Sequence, residues 1–326
     1  MNISFSVACK QAQPLVSFPG LNMGSYNFRY QKEKLVFVMG ATGTGKSKLS
    51  IDLATHFPAE IINSDKIQVY KGLDIVTNKV SEEETRGIPH HLLGIVDPDE
   101  DFTATDFRHH ATVAIESILR KDKVPIIAGG SNSYIESLVH DDAYFLSRYE
   151  CCFLWVDVSM PILKSFVSER VDRMVKAGLV EEVRGVYDPK ADYTKGIRRA
   201  IGVPEMDLFF RAEGKVDAES LDQLREDAIG EIKDNTYKLA VKQRQKICRL
   251  RDFWGWKMHH VDATEVFLRH GKEAEKAWKK LVLDPSAMIV HEFLHDQARF
   301  RTISPATEIP VVRTTMPMTV LATVTH

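Results

Sequence analysis

One stretch near the start of the sequence has the residue types and spacing of a phosphate-binding loop. Its members are Gly40, Ala41, Thr42, Gly43, Thr44, Gly45, Lys46 and Ser47. They fit the pattern G-x-x-x-x-G-K-[ST], in which glycines let backbone N–H groups point towards an anion. The lysine can reach phosphate oxygens, and the serine hydroxyl can bind Mg²⁺. The loop predicts phosphate binding and leaves open whether the phosphate compound is a substrate, a cofactor or a leaving group.

The residues on either side of the loop supply the context that this motif requires. The apolar run Leu35–Met39 precedes the loop and predicts a strand, and residues 48–54 predict a helix. A helix that begins at the loop adds its positive N-terminal end to the anion site. A glycine-rich turn without a ligand is the alternative, and the order of strand, loop and helix disfavours it.

Two aspartates follow predicted strands. Asp65 lies just past Ala59–Ile62, and the carboxyl edge of such a strand is where open α/β sheets form active sites. A carboxylate at that edge could hold Mg²⁺ or act as a base, and a turn-capping role is equally open. Asp157 ends the apolar run Cys151–Val158, as a Walker B aspartate does, although many buried strands end in this way.

Basic and histidine residues give weaker indications. Arg148 precedes the strand that ends at Asp157. A late predicted helix carries Lys238, Lys242, Arg244, Lys246, Arg249 and Arg251, most of which we expect on a solvated face. His291, Glu292 and His295 fit the H-E-x-x-H pattern of zinc proteases, but the only later candidates for a third ligand are Glu308 and His326. An ordinary polar helix is therefore favoured over a zinc site.

The predicted strands alternate with helices, which is typical of a parallel α/β sheet. The strands are residues 35–39, 59–62, 124–128 and 151–158, with helices over 104–121 and from Tyr134. Later helices are expected over 162–177, 179–187, 264–282 and 287–299, with two more within 216–251. The predicted fold is an α/β, P-loop NTPase-like core whose parallel sheet is flanked by helices, with a mainly helical insertion. The predicted parts are a leader (1–32), the core (33–160), the insertion (161–235), C-terminal helices that complete the core (236–301) and an irregular tail (302–326).

Composition excludes several classes of protein. The chain has 326 residues, of which 44% are hydrophobic, enough for a substantial core. Its formal net charge of −2 gives no general basic field for nucleic acid or membranes. Four scattered cysteines exclude a disulfide framework, and no apolar run is long enough to cross a bilayer. Residues 1–32 contain no Asp or Glu, which favours an organelle transit peptide over a merely disordered N-terminus.

Four stretches taken together resemble the isopentenyltransferase family, which includes tRNA dimethylallyltransferases and the adenylate isopentenyltransferases that make cytokinins. They are the loop 40–47 and residues 63–75, 89–94 and 128–135, in matching order. The resemblance extends from about residue 34 to residue 255. Residues 151–158 and 196–205 are similar specifically to the plant adenylate members.

The resemblance implies a reaction and a set of site residues. The loop would hold the diphosphate of dimethylallyl diphosphate, and the acceptor would be the N6 amine of adenine. Asp65 would take the proton of that amine, and Thr42 would contact both Asp65 and the bridging oxygen of the diphosphate. Lys46, Ser47 with Mg²⁺, and Arg148 match diphosphate-binding positions. Candidates for nucleotide binding are Ser64, Asp65, Gln68, Ser131, Lys238, Lys242, Gln243 and Lys276.

Several choices stay open within this resemblance. A tRNA acceptor would need a wide basic surface, and eukaryotic tRNA enzymes usually add a zinc finger, for which no cysteine follows Cys248. A P-loop kinase is a further alternative. AMP, ADP and ATP are not distinguished, although Lys272, Lys276, Lys279 and Lys280 could form either a phosphate site or a solvated face. The expected location is the plastid stroma, with the cytoplasm as alternative; no membrane partner is expected, and a monomer fits the sequence.

Overall fold

The computed structural model describes residues 32–295. Its strands are β1 (Glu33–Gly40), β2 (Ala59–Asn63), β3 (His90–His91), β4 (Val124–Ala128), β5 (Tyr149–Asp157) and β6 (Met258–Asp262). The first helices are α1 (Lys46–His56), α2 (Ala104–Leu119), α3 (Asn132–His140), α4 (Phe145–Arg148), α5 (Met160–Lys176) and α6 (Leu179–Arg184). They are followed by α7 (Asp207–Ala212), α8 (Ala218–Asp252), α9 (Thr264–Phe267), α10 (Gly271–Trp278) and α11 (Asp284–His295), with a π-helical turn at Lys279–Leu283.

The six strands form one parallel sheet in the order β3-β2-β4-β1-β5-β6. β1 lies inside the sheet, with Val36 opposite Ile126 of β4 and Cys152 of β5. Parallel strands are covered on both faces, so they must be apolar along their whole length. Residues 35–39 are accordingly fully buried. The predicted parallel α/β sheet is confirmed, and its four predicted strands differ from the observed ones by at most two residues at either end.

Alternate residues of β1 serve two different hydrophobic clusters. Phe37 points into a cluster that α2, α3 and much of α8 complete, together with the helical residues 179–210. Val38 points into a second cluster, which α1 shares with Trp278 and the C-terminal helices. Each predicted part contributes to both clusters, since Val167 of the predicted insertion belongs to the second cluster and Ile247 of the predicted C-terminal helices belongs to the first.

Two features of the fold differ from the sequence predictions. The expected pair of helices within 216–251 is wrong, because α8 is a single helix of 35 residues that continues across residues 235 and 236, where we predicted a division. β3 and β6 were not predicted. β6 is an edge strand in which Val261 alone is buried, so its sequence lacks the apolar run of an interior strand.

The described part of the chain contains no helix long and apolar enough to cross a membrane. The predicted tail over 302–326 lies outside the described residues, as does the predicted leader except for Lys32.

Candidate active site

The phosphate-binding loop leaves the sheet at Gly40 and enters α1 at Lys46. A Cβ atom on Gly40 would lie 2.4 Å from the carbonyl oxygen of Val156, so only glycine allows β1 and β5 to approach this closely. Gly43 has a φ of 86°, in the left-handed region that favours glycine. The predicted order of strand, loop and helix is therefore observed, and it brings the N-terminus of α1 to the carboxyl edge of the sheet.

Lys46 is buried and carries its charge into the site. Its Nζ donates to the carbonyl oxygen of Ala41 at 2.6 Å, and 9% of the residue is exposed. Burial lowers the pKa of Lys46 to about 8, against the opposing effect of the Asp65 carboxylate, and Arg170 lowers it further. An anion that arrives beside Lys46 would stabilise the protonated form.

Arg170 of α5 is a second cation at the loop and was not among the residues predicted from the sequence. Its Nη2 donates to Oγ1 of Thr42 at 3.1 Å, and its buried Nε has no hydrogen-bond partner within residues 32–295. Burial and the nearby Arg173 lower the pKa of Arg170 to about 10, and Asp65 opposes this effect. A signal was present in the sequence, because Arg170 lies three residues after the buried Val167, on the side of α5 that touches Gly43.

Asp65 uses one carboxylate oxygen for local structure. Its Oδ1 accepts hydrogen bonds from the backbone N–H groups of Ile67 at 2.9 Å and Gln68 at 3.4 Å. Its Oδ2 has no hydrogen-bond partner in the described part of the chain, and it lies 3.2 Å from the position that a Cβ on Gly130 would occupy. The turn-capping role and the role as a base are therefore compatible, because they fall to different oxygens.

Gln243 of α8 joins two loops at the sheet edge. Its Oε1 accepts from the backbone N–H of Thr42 at 2.7 Å, and its Nε2 donates to the carbonyl oxygen of Gly130 at 2.9 Å. Both ends of the amide are thus occupied by the protein. Gln243 was predicted to bind the nucleotide; in this arrangement it instead holds the phosphate-binding loop, and it does not line the cavity described below.

Three other predicted nucleotide contacts lie near Asp65. Ser64 is fully buried, and its Oγ has no hydrogen-bond partner among the described residues. Ser131 Oγ accepts from the backbone N–H of Lys66 at 2.9 Å. Gln68 donates from Nε2 to the carbonyl oxygens of Thr77 and Asn78, each at 3.0 Å, which leaves its own amide oxygen for a ligand. Of these three residues, Gln68 lines the cavity described next.

A cavity of about 1900 Å³ opens over the phosphate-binding loop. Thr42, Lys46, Ser47, Asp65 and Arg170 line it, so the loop and the acidic residue face one space. Pockets for a single small ligand measure about 300–1,000 Å³. The cavity is therefore large enough for two substrates side by side.

The prediction that Arg148 binds the diphosphate is wrong. Arg148 precedes Tyr149, which pairs with Glu33 at the start of β1, whereas the phosphate-binding loop follows the other end of β1. The seven steps from Glu33 to Gly40 separate the two edges by about 23 Å at 3.3 Å per residue. Arg148 is exposed and donates to Oε1 of Glu116 at 3.0 Å.

The predicted lysine contacts also lie away from the cavity lining. Lys238 and Lys242 are on the exposed side of α8, and Lys238 donates to Oδ1 of Asn235 at 3.2 Å. Lys276 is exposed and pairs with Glu273 at 3.0 Å. Its neighbours Lys272, Lys279 and Lys280 are exposed as well. The structure supports the solvated-face alternative for this lysine cluster.

Two weaker alternatives from the sequence find no support. Asp157 is bound by Arg244 and by Nε2 of His260, each at 3.2 Å, so its carboxylate is not free as a Walker B aspartate would be. His291 and His295 lie on the exposed side of α11, with ring centres 4.3 Å apart and ring planes tilted by 50°. Within residues 32–295, no group of three His, Cys, Asp or Glu side chains could hold a metal ion. Glu308 and His326 lie outside the described residues.

Comparisons with known proteins show the family of this chain. A family model described as IPP transferase matches residues 68–145 and 141–247. Adenylate isopentenyltransferase 5 of Arabidopsis thaliana, a chloroplastic protein, is 64% identical over 286 residues, which are 86% of each chain. The mitochondrial adenylate isopentenyltransferase 7 of the same plant is 52% identical over 307 residues, or 92% of this chain and 93% of that one. The chain belongs to the isopentenyltransferase family. It is therefore a prenyltransferase.

A solved structure shows the same fold for another isopentenyltransferase-like protein. A eukaryotic dimethylallyltransferase acting on tRNA superposes with a TM-score of 0.67 at 24% identity, covering 81% of this chain and 80% of that one. The likeness confirms the predicted α/β fold of this isopentenyltransferase.

The lowered pKa of Lys46 predicts a pH dependence. Lys46 carries its charge below about pH 8 and loses it above, so affinity for a diphosphate ligand should fall as pH rises through about 8. Phosphate groups are already ionised there, since their second pKa is about 6. We expect kcat/KM for the diphosphate substrate to decline by about tenfold per pH unit above this value, corresponding to the loss of one proton.

The matched variant for this measurement is Lys46→Arg. A guanidinium stays charged throughout the range, so the decline should vanish even though activity is lower. If kcat/KM of the wild-type protein is constant between about pH 7 and 10, where a lysine of lowered pKa must titrate, the assigned role of Lys46 is wrong.

Proposed function

We propose that this isopentenyltransferase transfers the dimethylallyl group from dimethylallyl diphosphate to the N6 amine of an adenine nucleotide and releases diphosphate. One observation carries the proposal: the free Oδ2 of Asp65 faces the same cavity as the phosphate-binding loop, Lys46 and Arg170. A site for an anionic leaving group and a base for the attacking group thus share one space. The names of the similar plant proteins support the same reaction.

The chemistry requires charge separation at the donor. The allylic C–O bond breaks, the electron pair leaves with the diphosphate, and the carbon develops positive charge. Fixed donors aimed at the leaving oxygens stabilise this charge without reorganising. The loop N–H groups, the Lys46 ammonium and the Arg170 guanidinium are such donors, and the unpaired Nε of Arg170 gives it a hydrogen bond to spare.

The acceptor requires positioning and proton removal. The N6 lone pair is delocalised into the adenine ring, so the amine is a weak nucleophile that must be held in line with the allylic carbon. As the C–N bond forms, one N6 proton passes to Oδ2 of Asp65. The hydroxyl of Thr42 accepts from Arg170, so its own hydrogen remains free to point at the bridging oxygen of the donor or at Asp65.

Ser47 fits a role in holding Mg²⁺. Its side chain is exposed at the first turn of α1, lines the cavity and follows directly after Lys46. Mg²⁺ is usually bound by one or two protein oxygens together with substrate phosphates and water, so a full set of protein ligands is not needed. When bound, the ion would neutralise charge on the diphosphate.

The pairing of two lysines that line the cavity favours a compact nucleotide over tRNA as acceptor. Lys71 pairs with Asp97 at 2.6 Å and Lys79 with Asp74 at 2.7 Å, so neither lysine offers an unpaired charge. A nucleic-acid backbone is bound through many free cations spread over a surface. A nucleotide needs only a few, since its phosphates are close together.

The deciding experiment offers labelled dimethylallyl diphosphate with AMP, ADP, ATP or unmodified tRNA. We expect label on the free nucleotides, because the formal net charge of −2 gives the chain no general basic field for a nucleic-acid backbone. Label on tRNA alone would move the protein to the tRNA-modifying branch. Transfer of phosphate with no transfer of label would identify a kinase.

A pair of variants separates the two halves of the site. Asp65→Asn keeps the turn that Oδ1 caps but cannot take the proton, so kcat should fall by about 10²–10⁴-fold while donor affinity is retained. Arg170→Leu removes a charged donor, which is worth about 1.5–3 kcal/mol, so donor Kd should rise by about 10- to 100-fold. Calorimetric titration with dimethylallyl diphosphate measures the affinities.

Measurements on the same two variants could contradict the roles assigned to Asp65 and Arg170. Near-normal turnover of a folded Asp65→Asn protein would remove Asp65 from the mechanism. Unchanged donor affinity of Arg170→Leu would leave Arg170 as a structural partner of Thr42.

For location we propose the plastid. The acid-free residues 1–32 and the chloroplastic name of a relative that is 64% identical support this choice, and the mitochondrial relative supplies the competing outcome. A fluorescent protein fused behind residues 1–32 should enter plastids of a plant cell. Fluorescence in mitochondria or in the cytoplasm would reject the proposal.

A further inference from the structure

Trp278, the last residue of α10, touches the phosphate-binding loop from the C-terminal part of the chain. A Cβ atom placed on Gly45 would lie 2.7 Å from Cη2 and 2.8 Å from Cζ3 of the indole. Gly45 has a φ of 93° and directly precedes Lys46. The ring edge therefore packs against the loop backbone at Gly45, directly before Lys46 and Ser47.

The indole ring is fixed by a buried hydrogen bond. Its Nε1 donates to Oδ2 of Asp52 at 2.8 Å, and the Asp52 side chain is 6% exposed. Asp52 also accepts from Arg86 at 2.8 Å and from Lys48 at 3.2 Å. Because Asp52 lies on α1 itself, this contact ties the helix that follows the loop to α10.

The ring also contributes to the cavity. Trp278 and Lys48 both line it, and the Lys48 ammonium lies 5.2 Å from the centre of the indole ring. The face of the indole thus holds a lysine next to Ser47.

The backbone after Trp278 is unusual. A π-helical turn, Lys279–Leu283, follows it directly, and such wide turns occur frequently at functional sites. On either side of this turn, Trp278 of α10 and Val290 of α11 both belong to the second hydrophobic cluster. The IPP transferase match ends at residue 247, so none of this segment belongs to it.

We propose that Trp278, oriented by Asp52, is a positioning residue for the phosphate-binding loop. It holds the Gly45 peptide in place and thereby sets where Lys46 and Ser47 meet the prenyl diphosphate. The inference rests on the proposed function, because it assumes that the loop binds the prenyl donor. Trp278 acts on the donor half of the reaction, so the acceptor should be little affected by its loss.

The test compares Trp278→Phe and Trp278→Ala with Trp254→Ala. Phenylalanine keeps most of the ring and loses the hydrogen bond to Asp52, while alanine loses both. Trp254 is 45% exposed and packs against His140, away from the loop, so it controls for the substitution itself. Kd is measured by calorimetry for inorganic diphosphate and for dimethylallyl diphosphate with Mg²⁺, together with KM for donor and acceptor and the thermal midpoint.

We expect a graded loss on the donor side. Donor Kd should rise by about tenfold in Trp278→Ala, which corresponds to about 1.4 kcal/mol, and by a smaller factor in Trp278→Phe. Acceptor KM should stay within about twofold, and Trp254→Ala should bind both substrates as the wild type does, because Trp254 does not line the cavity.

Other outcomes overturn the inference. Folded Trp278 variants with wild-type donor affinity, or with donor and acceptor affected equally, would make Trp278 an ordinary core residue. If Trp278→Ala does not fold, Trp278→Phe decides by the same criterion. Failure of the wild-type protein to bind dimethylallyl diphosphate would instead reject the proposed function on which the inference rests.

Discussion

Two buried cations and one carboxylate are the constraint on which the rest of the site depends. Burial lowers the pKa of Lys46 to about 8 and that of Arg170 to about 10, and the nearby charges of Arg170 and Arg173, respectively, lower them further. The Asp65 carboxylate opposes both effects. The protein thus holds excess positive charge at the loop, which an anionic ligand would relieve. Such a site favours an anionic ligand, because the negative charge of the ligand compensates the excess positive charge of the two cations.

Holding that arrangement requires contacts from distant parts of the chain. A loop of eight residues cannot fix its own backbone against this repulsion, and three helices support it from different sides. Gln243 of α8 accepts from the Thr42 N–H, Val167 of α5 packs beside Gly43, and Trp278 of α10 packs beside Gly45. Each contact joins the loop to a helix that is more than one hundred residues away in sequence. The helical parts of the chain are therefore components of the site as much as covers for the sheet.

These long-range contacts also explain what the sequence could and could not predict. The loop and Asp65 were predictable because local spacing determines their place at the carboxyl edge of a parallel sheet. Arg148 flanks an apolar run, and only the direction of β5 places it at the opposite edge. Arg170 lies within the amphipathic α5, and its place at the loop depends on the packing of that helix beside Gly43. Likewise, β6 has one buried residue, and the 35-residue α8 contains Gly230, so local patterns gave no strand for the first and two helices for the second.

The position of Asp157 shows how a nucleotide-type fold can serve alkyl transfer. In phosphoryl transfer the bond that breaks is at phosphorus, and a carboxylate at the end of a neighbouring strand helps to hold the metal ion there. Here the proposed bond cleavage is at carbon, one atom further from the loop, so the reacting nitrogen must approach from beyond the allyl group. A base would then be needed further out, and Asp65 at the end of β2 is the residue that we propose for this role. Asp157 at the end of β5 is bound instead by Arg244 of α8 and His260 of β6, and these contacts join both elements to β5. In the proposed reaction the loop stabilises the charge of the diphosphate, while Asp157 belongs to the scaffold of the fold.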